Sequence, residues 1–239
     1  MLHLLLAAAI ARNPVLEIKT KLSKKGFTKT EISHFFSDKR LKIYTQKTIA
    51  SKPVDWEKYQ AAILQKNSVD EGIAFIKAHQ ASFDAAEQKY NVPKEMVAAV
   101  MRIETHFGIT TGSYVVPDVF YSFMKHNKKI TWAEDNLVAT LVYAKREKID
   151  PFTLKGSYSG ALGYPQFLPV SILSFGIDGN ADKKVNLMNP DDAIPSLANF
   201  LHQHGFSDNQ TGALTSYYGS SVGYPDAAMQ YAEAVRKGE

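Results

Sequence analysis

The run Val92-Pro93-Lys94-Glu95-Met96-Val97-Ala98-Ala99-Val100-Met101-Arg102-Ile103-Glu104-Thr105-His106-Phe107-Gly108 reads as one helix with a start and a stop written into it. Pro93 suits a first helical turn, where its missing N–H costs nothing, and Gly108 suits the C′ position past the last turn. Between them Val97, Val100 and Met101 fall at i, i+3 and i+4, an apolar stripe at helical period. The next position on that stripe, i+7, is Glu104. A bare carboxylate is costly to bury, so such a group is paired, capped or protonated. Desolvation also raises a carboxyl pKa towards neutrality, which suits a general acid. Two readings stand side by side: a proton donor, or a buried Glu that braces a neighbouring loop.

The 239 residues suffice for one large or two modest domains with a real core. Apolar residues make up 45% and charged residues 22%, ordinary globular values that exclude a disordered chain and a membrane bundle. A net charge of +4 favours an anionic partner, but no long Lys/Arg tract points to nucleic acid. A polymer bearing carboxylates fits as well. With no cysteine, disulfides, thiolate metal sites, a Cys nucleophile and a lipid-modified Cys are excluded for this chain. Leu2 to Ile10 form a short apolar run, and Ala9-Ile10-Ala11 has the form of a signal-peptidase site. Residues 1–13 are therefore either a signal peptide or the first turns of a helix.

Residues 14–90 read as helices. Thr28-Lys29-Thr30-Glu31 has the capping-box form, Asp55 stands as an N-cap before Trp56, and Ser68-Val69-Asp70-Glu71 forms a second box. Behind that box Ile73, Ile76, Phe83 and Ala86 trace one long amphipathic helix. None of these segments looks like a site. Residues 91–239 form the second region, with a soft boundary near residue 90. A further helix runs from Trp132 to Lys148 and is ended by Asp150-Pro151.

From Lys155 to Pro169 the character changes. The stretch Gly156-Ser157-Tyr158-Ser159-Gly160-Ala161-Leu162-Gly163-Tyr164-Pro165-Gln166-Phe167 mixes glycine, hydroxyls and aromatics. Glycines allow close backbone approach, and neutral donors beside flat apolar faces are what a sugar needs. Helix packing through small residues is the alternative for the glycines. No phosphate-loop pattern is present. Asp178, Asn180 and Asp182 repeat oxygen side chains at positions 1, 3 and 5 of an EF-hand-like loop. Lys183 then takes the place that wants Gly, and Asn189 the place that wants Glu; Asp192, farther on, would close a longer loop. Asn189-Pro190-Asp191-Asp192 is equally a good helix start, and Pro195 inside that helix predicts a kink or an early break.

Taken in order, these segments resemble the lytic murein transglycosylases of the membrane-bound B type, relatives of goose-type lysozyme, from about Gly26 to Val235. The resemblance implies a mainly α-helical fold with a lysozyme-like core and an added N-terminal helical region. It implies cleavage of the MurNAc–GlcNAc β-1,4 bond of peptidoglycan to a 1,6-anhydromuramyl end, with Glu104 as the single catalytic residue. Ser157, Tyr164, Gln166, Phe167, Phe200, Tyr218 and Tyr231 become the expected substrate contacts. Asp178, Asn180, Asp182, Lys184 (through its carbonyl) and Asp192 become the ligands of a structural calcium ion, with no cofactor required for the reaction. The expected partners are peptidoglycan glycan strands and complexes of cell-wall enzymes, not nucleic acid; the chain is expected to be a monomer exported to the periplasm or cell envelope. Departures from the family pattern are Pro165 for Gly, Gly219 for Asn, Lys128-Lys129 for an Arg pair, and an insertion between Ser221 and Tyr231. The rival readings are a lysozyme-type hydrolase and a non-catalytic peptidoglycan-binding scaffold, with a calcium-regulated module more distant.

Overall fold

Side-chain caps start five of the helices in the computed structural model, which describes residues 13–50, 53–219 and 223–238. The order is α1 (Pro14–Lys24), α2 (Lys29–Ser37), α3 (Trp56–Ile63), α4 (Lys66–Ala78), α5 (Gln80–Tyr90) and α6 (Lys94–Thr105). Then come β1 (Tyr114–Val115), α7 (Val116–Lys125), α8 (Ile130–Glu147), a 3-10 turn (Pro151–Thr153) and β2 (Lys155–Gly156). The chain ends with α9 (Pro169–Phe175), α10 (Pro190–Gln203), α11 (Gln210–Tyr218) and α12 (Gly223–Gly238). The two short strands pair antiparallel, Tyr114 opposite Gly156. The fold is thus mainly α, as expected. The Leu2–Ile10 run, the Ala9-Ile10-Ala11 site and Ser220-Ser221 lie outside the described residues.

Thr28 and Glu31 do form a capping box, Asp55 accepts from the Lys58 amide, and Asn189 accepts from the Asp191 amide with Pro190 at the first helical position. The Ser68 box does not form. α4 starts two residues earlier, and Ser68 is buried, accepting from Arg102 Nε at 2.9 Å. The long helix also breaks at His79 (φ −122°), into α4 and α5, although Ile73, Ile76, Phe83 and Ala86 are all buried as the periodicity requires. Pro195 lies inside an unbroken α10. The Asp191 carbonyl that Pro195 cannot bond lies against Gly179, where a Cβ would overlap it.

α6 is the centre of the packing. From Met96 to Met101 all its side chains are at most 4% exposed, so it is wrapped on every side, by α12, α4, α5 and α10. α1 lies along α8, and α3 and α4 along α12. A single hydrophobic cluster runs from Ile18 to Val235 and crosses residue 90 without interruption.

Candidate functional site

α6 begins at Lys94, one residue after Pro93, and its end is held tightly. Three successive residues, His106, Phe107 and Gly108, have positive φ. Gly108 (φ +85°) is required there, because a Cβ would overlap the Tyr164 ring. Thr105, fully buried, donates to the Tyr164 carbonyl at 2.9 Å and accepts from the Gly108 amide at 3.0 Å. Phe107 and Tyr164 both stack on Phe75, and His106 Nε2 lies 2.6 Å from Glu71 Oε2. The last turn of α6 is thereby pinned, and with it the direction of Glu104.

Glu104 stands where the buried stripe meets a cleft of about 570 Å³. It is partly buried, while Val97, Val100 and Met101 below it are at most 1% exposed. Tyr224 donates from its hydroxyl to Glu104 Oε1 at 2.8 Å, the one hydrogen bond this carboxyl makes among the described residues. Loss of solvent pushes the carboxyl up from its ordinary 4.5 to about 7, and the Tyr224 hydrogen bond pulls weakly the other way. The cleft wall is otherwise made of aromatic rings, hydroxyls, an amide and aliphatic groups. Among the described lining residues Glu104 is the sole carboxylate, and there is no Lys or Arg.

Four of the expected site residues meet there: Glu104, Ser157, Gln166 and Tyr218. Ser157 Oγ lies 3.0 Å from Ser159 Oγ and accepts from the Ala161 amide. Gln166 has φ +51°, and its Nε2 donates to the Gly163 and Thr111 carbonyls at 2.9 and 3.2 Å. Its amide hydrogens are thereby engaged, which leaves Oε1 as an acceptor.

The other four lie outside the cleft lining. Tyr164 packs back against Gly108 and Phe75, as scaffold for the end of α6. Phe167 and Phe200 are buried behind Tyr217, the lining residue they support, at 6.0 and 5.0 Å between ring centroids. Tyr231 is fully buried between α12 and α4 and donates to the Ser68 carbonyl at 2.5 Å. The tyrosine that reaches Glu104 from α12 is Tyr224 instead. The two lie seven residues apart on one face of α12, so periodicity alone does not separate them.

The N-terminal region, which showed no sign of a site, supplies Val54, Trp56 and Tyr59 to the cleft. Tyr59 also donates to the Ile103 carbonyl at 3.0 Å. The signal available was composition: a Trp and a Tyr at i, i+3 on a short helix. Of the departures, Pro165 is buried and its carbonyl accepts from the Tyr217 hydroxyl; Gly219 (φ +95°) ends α11; and Lys129 lies over Trp132, itself a lining residue.

The loop 178–192 keeps the carboxylates of Asp178, Asp182 and Asp192 on its own backbone. Asp178 accepts from the Asp182 and Lys183 amides, Asp182 from the Lys184 amide, and Asp192 from the Gly179 and Asn186 amides at 2.9 and 2.7 Å. Lys183, in the place that wants Gly, has φ +70°, so the sharp turn is made without glycine. Among the described residues no three acidic or histidine side chains converge as a metal would need. The donor types suit calcium; their arrangement here is a self-capped loop.

A family model described as the transglycosylase SLT domain matches residues 11–232. The chain is 28% identical over 231 residues to membrane-bound lytic murein transglycosylase B of Escherichia coli K12, a match covering 90% of this chain and 64% of that protein. It thus spans less than two thirds of that relative's length. Soluble lytic transglycosylase SltB1 of Pseudomonas aeruginosa shares the fold at a TM-score of 0.83 and 22% identity, over 95% of this chain and 99% of that one. Lytic transglycosylase Slt35 of Escherichia coli, solved in complex with calcium, does so at 0.81 and 20%, over 95% and 94%. With a lone carboxyl at the end of the central helix, a cleft of rings and hydroxyls around it, and a family model spanning most of its length, the chain belongs to the transglycosylase SLT domain family, alongside the lytic murein transglycosylases.

Proposed function

We propose that this protein is a peptidoglycan lytic transglycosylase acting on the MurNAc–GlcNAc β-1,4 bond, with Glu104 as its one acid and base. The observation that carries this reading is a single carboxyl, raised to about 7, in a cleft whose described lining has no second one. A hydrolase of either stereochemistry ordinarily needs a second carboxylate, as nucleophile or to activate water. A transglycosylase replaces it with groups of the substrate.

Near pH 7 a substantial fraction of Glu104 carries its proton. It protonates the bridging oxygen as the bond from MurNAc C1 to that oxygen breaks, and the oxygen leaves as the 4-hydroxyl of GlcNAc. The N-acetyl oxygen supports the positive charge left at C1. The MurNAc 6-hydroxyl then attacks C1 and its proton returns to Glu104, so the atoms balance without water. A pKa near working pH serves both proton transfers, and holding the internal hydroxyl nearby substitutes positioning for a second acid. Aromatic faces at Trp56, Tyr218 and Trp132 suit sugar C–H surfaces, while Ser157 and the Gln166 carbonyl suit sugar hydroxyls and amides.

Sacculi digested with the wild-type protein should yield muropeptides one water lighter than reducing ends, read by mass spectrometry. Glu104→Gln should keep its fold and saccharide binding and lose at least about a thousandfold in cleavage, the upper part of the range for a missing acid. Reducing ends would favour a lysozyme-type hydrolase, and binding without release of soluble products a scaffold. The substrate lies in the cell envelope, so export is part of the proposal; action as a monomer, with cell-wall enzymes as further partners, completes it.

We also propose calcium as a structural ion for the loop 178–192, held by Asp178, Asn180, Asp182 and the Lys184 carbonyl, with Asp192 closing it. Support comes from the donor types, from the glycine-like turn at Lys183, and from the calcium in the Slt35 structure.

A further inference from the structure

Trp56 reaches the cleft wall from a helix whose sequence shows no chemistry. Its indole stands nearly perpendicular to three tyrosine rings: Tyr59 at 5.7 Å, Tyr218 at 5.4 Å and Tyr224 at 5.7 Å between centroids. Tyr218 and Tyr224 are themselves stacked at 4.3 Å. Edge-to-face contacts are directional, because a ring's positive edge meets another's negative face. One indole thus sets the tilt of both stacked rings. The start of α12 sits on it as well, since a Cβ at Gly223 would overlap the indole. Tyr224 is fully buried, and its hydroxyl is the hydrogen-bond partner of Glu104. A continuous chain of contacts therefore runs from α3 through Trp56 and Tyr224 to the carboxyl.

We propose that Trp56 is a positioning residue of the reaction, holding the Tyr224 ring so that its hydroxyl stays on Glu104. The N-terminal helices then belong to the acid's machinery rather than forming a separate buttress. The inference rests on the reading of Glu104 as the general acid. Other ionisable groups around this centre are Tyr59 on α3, Tyr217 and Tyr218 on α11, Tyr114 and Tyr158 in the cleft lining, Arg102 on α6 and His106 just past its end. Arg102 is turned to Ser68, and His106 to Glu71. Burial holds the Tyr59, Tyr217, Tyr218 and Tyr224 phenols above 10, so none of these four titrates alongside Glu104.

A hydrogen bond from Tyr224 favours the ionised carboxyl, so losing it raises the Glu104 pKa. Replacing Trp56 by an apolar side chain without a ring should therefore change the proton affinity of Glu104 through Tyr224. A Trp that only carried a sugar ring would raise KM and leave that affinity alone. The test is a 13C-carboxyl NMR titration of the free, full chain, with Glu104 assigned through E104Q. The wild-type midpoint should lie near 7. Tyr224→Phe, and Trp56→Leu, which keeps an apolar side chain on the wall and so keeps water off the carboxyl, should both raise it. Trp56→Phe should return most of the way to wild type, and W56L/Y224F should go no higher than Y224F alone. The basic limb of the kcat/KM profile should move up with the midpoint. If W56L does not fold, W56M, equally apolar and without a ring edge, should behave as it does. An unchanged midpoint in W56L or W56M with a raised KM would overturn the positioning role and leave Glu104 as the acid. A wild-type midpoint at the ordinary 4.5 would instead remove the acid itself, and this proposal with it.

Discussion

Glu104 carries a conflict that one residue can resolve in only one way. It continues an apolar stripe, so burial works against its charge, yet the proposed reaction needs it to ionise once per turnover. Its folded pKa lies above the unfolded value, so the folded state binds more protons between about 4.5 and about 7. Stability is then greatest below the unfolded value and is lost as pH rises through the folded one. Glu104→Gln removes that loss. Its melting temperature should match wild type near pH 4 and exceed it above pH 7, by about 2 kcal/mol after allowance for solvent at the cleft mouth, or roughly 4–8 °C. Thermal melts across pH check this; equal melting temperatures at pH 8 would mean that burial does not strain the carboxyl. The position of Glu104 was legible from i, i+3, i+4, i+7 spacing alone. Its Tyr224 partner was not, since the two are 120 residues apart in sequence.

At the scale of elements, the end of α6 and the loop 178–192 show local sequence settling some features and leaving others open. Gly108→Ala would force a side chain into a left-handed backbone, at about 1–2 kcal/mol, and into the Tyr164 ring, at about 1–3 kcal/mol. Chemical denaturation should show a loss on the order of 3 kcal/mol, with cleavage reduced because Glu104 is aimed by that turn. For the loop, calcium in about a hundredfold excess over Kd should add about 2.7 kcal/mol, raising the melting temperature reversibly on chelation. No shift would mean the loop remains self-capped, as its amide hydrogen bonds already allow. Caps at Thr28, Asp55 and Asn189 were readable because an N-cap is a contact within three residues. The break at His79 and the continuity through Pro195 were not. In the second case the room beside the Asp191 carbonyl that Pro195 leaves unbonded is at Gly179, on a different segment.

Across the whole molecule, charge and site are separated. The chain carries +4, yet the described lining of the cleft holds no cationic side chain. Attraction to an anionic sacculus should therefore come from the surface and be screened, while a short glycan enters a neutral trough. Raising salt from about 50 to about 300 mM should lower the rate on sacculi severalfold and leave kcat/KM for a short glycan oligomer nearly unchanged. Equal salt dependence on both substrates would place the charge recognition inside the cleft instead.

Sequence alone determined the helical class, the helix starts after Thr28, Asp55 and Asn189, the buried faces, the family resemblance and the position of Glu104. Each of these is a local pattern, or a series of local patterns kept in order. Tertiary structure decided which aromatic side chains share the cleft. It chose Tyr224 over Tyr231, placed Tyr164, Phe167 and Phe200 behind the wall, and brought Trp56 and Tyr59 into it. The physical reason is that a tyrosine buried between helices and a buried tyrosine that reaches the carboxyl satisfy the same apolar periodicity. Only the packing of α3, α11 and α12 around α6 determines which hydroxyl finds the carboxyl.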